Sequence, residues 1–156
     1  MIHLWRIASD TRNYTADDVT GAGAKATGGR WNRQGNAMLY TATNISLAVL
    51  ETFVHIKIGG LPLNRYLVRF DVPDAVWQDA RDCRNPPVGW DAVPEGMVSL
   101  DEGDNWLREN ASALMIVPSV IVPDDFNVLV NPAHPDASQI GVVKLKKWQY
   151  DRRMFG

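Results

Sequence analysis

The segment from residue 28 to residue 51 holds three side chains that could carry chemistry: Arg30, Tyr40 and Glu51. Arg30 follows two glycines, which let a backbone approach a ligand closely. A guanidinium can bind phosphate oxygens through two parallel hydrogen bonds, so this pattern predicts a phosphate-binding arginine. The alternative is an arginine that pins a turn. The segment lacks the glycine spacing and the strand-to-helix context of a P-loop or a dinucleotide-binding fingerprint.

Glu51 is a candidate catalytic carboxylate because a helix through this residue would enclose it. On a helical wheel it falls between two apolar stripes, while the solvent face lies near Ser46 and Lys57. An enclosed charge is costly unless it is paired or hydrogen-bonded. The alternative is an exposed Glu51 paired with His55, and the wheel alone favours neither. The two stripes comprise Ile45, Val49, Thr52, Phe53 and Ile56 on one side and Leu47 and Val54 on the other.

Tyr40 and Ser119 each have a functional and a structural interpretation. Tyr40 lies directly before the loop into the Glu51 helix, although aromatic rings in strands usually belong to the core. Ser119 lies between Pro118 and Val120 in an apolar run. Its hydroxyl could bond to nearby backbone or be turned into a cleft. No G-x-S-x-G elbow surrounds it, so we do not interpret it as a hydrolase nucleophile.

Alternating apolar and polar residues predict strands that would hold these side chains in place. The first predicted strand, residues 2–7, would carry Arg6 on a rigid element. Residues 113–123 predict one bent buried strand or two short ones, because Pro118 and Ser119 interrupt them. This order predicts an α+β fold with a mixed or antiparallel β-sheet core and flanking helices. The remaining predicted strands are residues 37–41, 65–72, 126–130 and the C-terminal alternation at 142–151.

One strong helix is predicted between the second and third strands. Thr43 or Asn44 can cap it, and it runs to about Lys57, where Gly59 and Gly60 end it. The other non-strand segments are predicted loops at residues 15–29 and 79–95 and a short helix at about residues 101–110.

Composition limits the class of protein. The chain has 156 residues, 46% hydrophobic and 22% charged, which is typical of one globular domain spanning 1–156. A net charge of −2 gives no global attraction to nucleic acid. Cys83 has no disulfide partner, and no His or Cys cluster has metal-ligand spacing, so we expect no bound metal. The N-terminus is too polar for a signal peptide, and no apolar run approaches about 18 residues. We expect a cytoplasmic protein.

Six segments, taken in order, resemble the RES domain family, which is named for an arginine, a glutamate and a serine. The similarity spans nearly the whole chain, and the ordered set is more specific than any single piece. Residues 74–110 carry no matching motif. The segments are WRI at 5–7, GGRWNRQG at 28–35, LYTA at 39–42, LAVLE at 47–51, VPSVIVP at 117–123 and NVLVNPAHPD at 127–136.

The resemblance implies a fold similar to that of the ADP-ribosyltransferase toxins and an activity that consumes NAD as substrate, without a cofactor. Arg30, Glu51 and Ser119 match the family's three named residues, and Arg6 and Tyr40 fall on further site positions. Glu51 would stabilise the charge that develops on the ribose. Arg30 and Arg6 would hold the pyrophosphate, and Tyr40 would stack on nicotinamide or ribose. Ser119 would hydrogen-bond the nicotinamide amide or its ribose.

The resemblance also implies the toxin of a bacterial type II toxin-antitoxin pair, and three activities remain open. The preferred one is an NAD glycohydrolase or phosphorylase, with water or inorganic phosphate as acceptor. The alternatives are an ADP-ribosyltransferase that modifies a cellular protein and a catalytically silent binding module. The implied partner is an Xre-type helix-turn-helix antitoxin, so direct nucleic-acid binding is not expected, while a homodimer within the complex is left open. Asn127, Asn131 and His134 would mainly hold loops near the site.

Overall fold

The structure is a computed structural model that describes residues 1–56 and 62–156. In these two stretches the chain forms seven strands, four α-helices and two short 3₁₀ helices. The strands are β1 (Ile2–Ala8), β2 (Leu39–Ala42), β3 (Tyr66–Val72), β4 (Arg81–Asp82), β5 (Leu114–Pro118), β6 (Phe126–Val130) and β7 (Gly141–Lys147). The helices are α1 (Ala22–Thr27), α2 (Ile45–Phe53), α3 (Asp74–Gln78) and α4 (Met97–Glu109), with 3₁₀ turns at Pro135–Gln139 and Arg152–Phe155.

The seven strands form one mixed sheet in the order β4-β5-β6-β2-β1-β3-β7. The short β4 runs parallel to β5, and every other neighbouring pair is antiparallel. Helix α2 packs against β1 and β2. The sequence-based prediction of an α+β fold with a mixed or antiparallel sheet is therefore confirmed.

Both faces of the sheet are covered, which follows from the two-residue period of its strands. On β6, Val128 and Val130 belong to one buried cluster with Phe70, while Leu129 belongs to another with Trp31 and Trp106. Full burial of such side chains stabilises the fold by about 1.5–3 kcal/mol each. Because both faces of the sheet are packed, the polar side chain of Asn127 on β6 needs a hydrogen-bond partner within the protein.

Strands β1 and β2 separate soon after they meet. They pair at one position, Trp5 with Ala42, whereas β1 and β3 pair at every position of β1. Beyond that position Arg6 and the rest of β1 diverge from Leu39 at the start of β2, and a cavity of about 200 Å³ lies between them. The middle of the sheet is therefore open at one end.

The predicted helix is shorter than expected. Helix α2 begins after Asn44, whose side chain accepts a hydrogen bond from the Leu47 amide at 2.8 Å, so the predicted cap is confirmed. It ends at Phe53. The predicted end at Lys57 was wrong, because the turn after Phe53 already leaves the helix, and Lys57, Gly59 and Gly60 lie outside the described residues.

Two predicted loops contain regular structure. Residues 15–29 include α1, whose alternating alanines favour helix strongly enough to offset Gly23. Residues 79–95 include β4, which pairs with β5. The predicted helix at 101–110 begins earlier, at Met97, and the bend predicted within 113–123 is the end of β5 at Pro118. Within the two described stretches, no α-helix has both the length and the apolar composition that a bilayer span requires.

Candidate active site

The Glu51 carboxylate lies at the centre of a short polar network under the sheet. Its Oε1 accepts a hydrogen bond from Ser119 Oγ at 2.6 Å and another from Asn127 Nδ2 at 2.7 Å. The side chain is half-buried. None of the described residues donates a hydrogen bond to Oε2, so one carboxylate oxygen is fixed and the other is available to a ligand. The alternative pairing with His55 does not occur in the structure.

Ser119 is fully buried directly after β5 and uses its whole hydrogen-bonding capacity. Its hydroxyl donates to Glu51 and accepts from the backbone amides of Ile121 and Val122, each at 3.1 Å. A serine hydroxyl has one proton and two lone pairs, so no donor or acceptor remains for a ligand. The geometry makes Ser119 a residue that orients Glu51. The direct substrate contact expected from the sequence does not fit this arrangement.

Asn127, which the sequence assigned mainly to holding loops near the site, contacts Glu51 directly. It lies on β6 opposite Val117 and donates to Glu51, instead of holding a loop. Its Oδ1 is buried without a hydrogen-bond partner among the described residues. The sequence did hold a signal: Asn127 and Leu129 share one face of a strand by their spacing, and an amide at such an inward position needs a polar partner.

The start of α2 and the Ser119 turn are tied to the same residue, which fixes Glu51 relative to its partners. Asp125 Oδ2 accepts from Asn44 Nδ2 at 3.0 Å, at the N-terminus of α2. The backbone carbonyl of Asp125 accepts from the Ser119 amide, also at 3.0 Å. Because both ends of the network share this anchor, the Glu51–Ser119 distance depends on tertiary structure and not on a flexible side chain alone.

Arg6 lines the cavity between the separated strands. Among the described residues its guanidinium has no hydrogen-bond acceptor and no ion-pair partner. Burial lowers its pKa, while Asp18, Tyr14 and Tyr40 nearby oppose that effect. An arginine remains protonated in proteins, so its enclosed charge requires an anion. Thr52, the residue after Glu51 on α2, lines the same cavity, so α2 connects the cavity with the Glu51 network.

Arg30 does not line the cavity that contains Arg6. Its Nη1 donates to the backbone carbonyl oxygens of Trp90 at 3.0 Å and Ala92 at 2.8 Å. The neighbouring Trp31 stacks on Trp90 with 6.1 Å between ring centroids. This is the turn-pinning arrangement that the sequence left open as an alternative, and Nε and Nη2 of Arg30 have no partner among the described residues.

Tyr40 supports the loop that carries Arg30. Its hydroxyl donates to Asn32 Oδ1 at 2.5 Å and accepts from the Trp31 amide at 3.0 Å, and burial raises its pKa. Its ring packs against the buried cluster around Trp31. A Cβ on Gly29 would lie 2.7 Å from the Tyr40 hydroxyl, so glycine is required there for internal packing, independently of any ligand.

The same loop is fixed from its other side by α4. Asp104, which is buried, accepts from the Arg33 backbone amide at 3.1 Å and from Arg33 Nη1 at 2.9 Å. Gly103 lets the helix approach closely, since a Cβ there would lie 1.7 Å from the Trp31 carbonyl oxygen. The Arg30 loop is therefore a rigid part of the fold.

We predict that Tyr40→Phe lowers the free energy of unfolding by about 1–3 kcal/mol, because it leaves the Trp31 amide and Asn32 Oδ1 without their partner. Urea unfolding measures this change. Tyr66→Phe is the matched control, since the Tyr66 ring contacts Lys144 and its hydroxyl has no partner among the described residues. Equal stability of Tyr40→Phe and the parent protein would show that the Tyr40 hydroxyl does not hold the loop.

The five predicted site residues thus form two groups. Glu51 and Ser119 are in direct contact, and Thr52, which follows Glu51 in α2, lines the Arg6 cavity. Arg30 and Tyr40 are joined through the Trp31 loop, and Tyr40 also lies near Arg6. In the described part of the chain, no three His, Cys, Asp or Glu side chains come together as metal ligands.

Comparison with known proteins gives one consistent family. The sequence model described as RES domain matches residues 3–153. A protein of Sphingobium sp. (strain YBL2), called Prs ADP-ribosylating toxin, is 57% identical over 153 residues, covering 97% of this chain and 95% of that protein. A protein of Yersinia enterocolitica called Toxin Res is 37% identical over 131 residues, covering 84% of each chain. Another Toxin Res, from Pseudomonas putida, is 34% identical over 97% of this chain and 99% of its own.

A solved structure shares the fold. It is the crystal structure of the M. tuberculosis MbcT-MbcA toxin-antitoxin complex, one chain of which matches with a TM-score of 0.63. The match covers 92% of this chain and 84% of that chain at 14% sequence identity. At this identity the likeness establishes the fold alone, and it agrees with the α+β architecture described above.

Proposed function

The chain belongs to the RES domain family, and we propose that it is the toxin of a bacterial type II toxin-antitoxin pair that cleaves NAD between nicotinamide and ribose. The toxin assignment rests on family membership and on relatives called Toxin Res. The NAD chemistry rests on one observation: a Glu51 carboxylate is held through a single oxygen, on the helix whose Thr52 lines the same cavity as Arg6.

The two parts of this site suit the two parts of the substrate. NAD carries a negatively charged pyrophosphate and, on the ribose at its other end, a positively charged nicotinamide ring. An enclosed guanidinium such as Arg6 would bind the pyrophosphate. The free Oε2 of Glu51 would face the ribose, accept a hydrogen bond from a ribose hydroxyl and stabilise the positive charge that develops as nicotinamide leaves.

The other residues would act through these two groups. Ser119 and Asn127 would hold Glu51 in one orientation, which keeps the carboxylate from rotating away from the developing charge. Tyr40 and Arg30 would shape the adjacent wall by fixing the loop around Trp31 and the segment at Trp90. Arg30 could reach the substrate only with Nε or Nη2. Nicotinamide leaves as a neutral molecule, so no second carboxylate is needed as general acid.

The acceptor of the ADP-ribose decides between two activities. With water or phosphate as acceptor, the protein is an NAD glycohydrolase or phosphorylase. With a protein as acceptor, it is an ADP-ribosyltransferase. The relative that is 57% identical is called a Prs ADP-ribosylating toxin, and this identity favours a protein acceptor, with Prs as the first candidate.

A labelling experiment tests both the cleavage of NAD and the identity of the ADP-ribose acceptor. The purified protein is incubated with adenine-labelled NAD, with and without purified Prs, phosphate or cytoplasmic lysate. We expect NAD consumption and label on Prs in the reactions that contain Prs, with Glu51→Gln as the inactive control. Label confined to ADP-ribose or its phosphate ester would favour the glycohydrolase or phosphorylase. Absence of NAD consumption would reject NAD chemistry and favour a binding module.

The proposed partner is an antitoxin with an Xre-type helix-turn-helix domain that blocks the cleft. The shared fold with a chain of a toxin-antitoxin complex supports an antitoxin as partner, and the Xre type is proposed from the family resemblance. Co-expression with the neighbouring reading frame should yield a complex, restore growth and suppress NAD consumption. A neighbouring product that neither binds nor protects would contradict this assignment.

A further inference from the structure

We propose that Arg65 is the second cationic residue of the Arg6 cavity and that the two guanidiniums together bind a phosphate group. This inference deepens the proposed function, on which its choice of substrate rests. Arg65 lies outside all six segments by which the sequence resembles the RES domain family.

The two arginines reach the cavity from neighbouring strands. Arg6 lies on β1, and Arg65 comes immediately before β3, whose first residue Tyr66 pairs with Ala8 at the end of β1. Arg6 and Arg65 both line the cavity between β1 and β2. The register of the sheet therefore brings Arg65 to the end of the strand that carries Arg6.

The backbone around Arg65 is fixed, so its side chain starts from a defined point. The Arg65 carbonyl accepts from the Trp148 amide at 2.8 Å. The preceding residue, Asn64, donates through its side chain to the Asp10 carbonyl. Asp10 is itself paired with Lys144 at 2.8 Å. Arg65 Nη1 contacts the carbonyl of Asn64 at 3.2 Å, and the described residues engage neither Nε nor Nη2.

The charges around the cavity favour an anion. The described residues that line it contribute two guanidiniums, from Arg6 and Arg65, and one carboxylate, from Asp18. That carboxylate is already occupied: its Oδ1 accepts from Thr20 Oγ1 at 2.7 Å and its Oδ2 from the Gly21 amide at 3.0 Å. A net positive charge in a partly enclosed space attracts phosphate, and paired guanidiniums match its geometry.

The size of the cavity limits which part of a ligand it holds. Its volume is about 200 Å³, below the roughly 300–1,000 Å³ of pockets that enclose a whole small molecule. It can therefore take the phosphate portion of a dinucleotide. The nicotinamide half would then lie outside the cavity, and the proposed function places it at Glu51. Inorganic phosphate, the acceptor in a phosphorylase, has the same chemistry and could use the same guanidiniums.

Calorimetric titration in the Glu51→Gln protein, which should bind without turnover, tests the proposal. We expect Arg65→Ala to raise the Kd of ADP-ribose about tenfold or more, since it removes charge-assisted hydrogen bonds. Arg65→Lys should lose less affinity, because it keeps the charge but not the fork. Arg152→Ala is the control, as Arg152 is exposed and does not line the cavity. Circular dichroism checks that each variant is folded.

A second arm with orthophosphate separates the two sources of phosphate. Loss of ADP-ribose affinity, with orthophosphate as its competitor, supports a site for the substrate pyrophosphate. Loss of orthophosphate affinity alone supports a site for the acceptor. Unchanged affinity for both ligands in Arg65→Ala overturns the proposal. If the parent binds orthophosphate through Arg65 but neither binds ADP-ribose nor consumes NAD, the phosphate site stands and the proposed NAD chemistry fails. If the parent consumes NAD but binds neither ligand, the phosphate site fails and the NAD chemistry stands.

Discussion

Glu51→Gln is expected to reduce NAD consumption by about 100- to 1,000-fold, the typical effect of removing one preorganised electrostatic stabiliser. The substitution is nearly isosteric. The amide oxygen of a glutamine can still accept from Ser119 and Asn127, so the network that holds the side chain should persist. What disappears is the negative charge facing the ribose. The measurement is the rate of nicotinamide release from NAD by the purified variant.

A matched control separates this effect from a general loss of acidic charge. Glu109 lies at the end of α4, is 61% exposed and pairs with Arg81 at 3.3 Å. Glu109→Gln should therefore leave NAD consumption within about twofold, because exposed ion pairs contribute little. If Glu51→Gln consumed NAD as fast as this control, Glu51 would have no catalytic role. Thermal unfolding of both variants should resemble that of the parent.

The features that the sequence predicted well are those set by local pattern. Strands at 65–72 and 126–130 followed from two-residue alternation, and the structure has them at Tyr66–Val72 and Phe126–Val130. The Asn44 cap followed from side-chain chemistry at a helix start. The α+β class followed from the order of these elements. Each of these features depends on residues that are close together in the chain.

The features that could not be predicted from the sequence depend on contacts between residues that are far apart in the chain. The helical wheel did not decide whether the Glu51 side chain is exposed or enclosed. Its hydrogen-bond partners Ser119 and Asn127 lie 68 and 76 residues away in the sequence. Arg30 had a plausible ligand role beside two glycines until the structure placed Trp90 and Ala92 against it. No local rule predicts which distant carbonyl a guanidinium meets.

Topology also explains why Arg65 was missed. It has no motif around it, and its importance arises because β1 pairs with β3 along its full length but meets β2 at one position. The separation opens the cavity, and the register with β3 brings a second arginine to its rim. One irregularity in strand pairing therefore creates a place for the anion beside the helix that carries Glu51.

Arg6→Gln should separate function from stability, because the structure stabilises the charge of Arg6 poorly before a ligand binds. Removing a charged hydrogen-bonding group is expected to lower kcat/KM for NAD by about 10- to 100-fold. The free energy of unfolding should stay unchanged or rise by up to about 1 kcal/mol, since burial disfavours the unpaired guanidinium and lowers its pKa.

The control for Arg6→Gln is an arginine on the neighbouring strand that already has an ion-pair partner. Arg69 on β3 is already paired with Asp71, at 2.6 Å between Nε and Oδ1. Arg69→Gln should therefore lower stability by no more than about 1 kcal/mol and leave kcat/KM for NAD unchanged. Steady-state kinetics and urea unfolding of the two variants test the contrast. If Arg6→Gln unfolded more easily and kept its activity, Arg6 would be a structural residue, and the cavity between β1 and β2 would have lost its proposed ligand-binding charge.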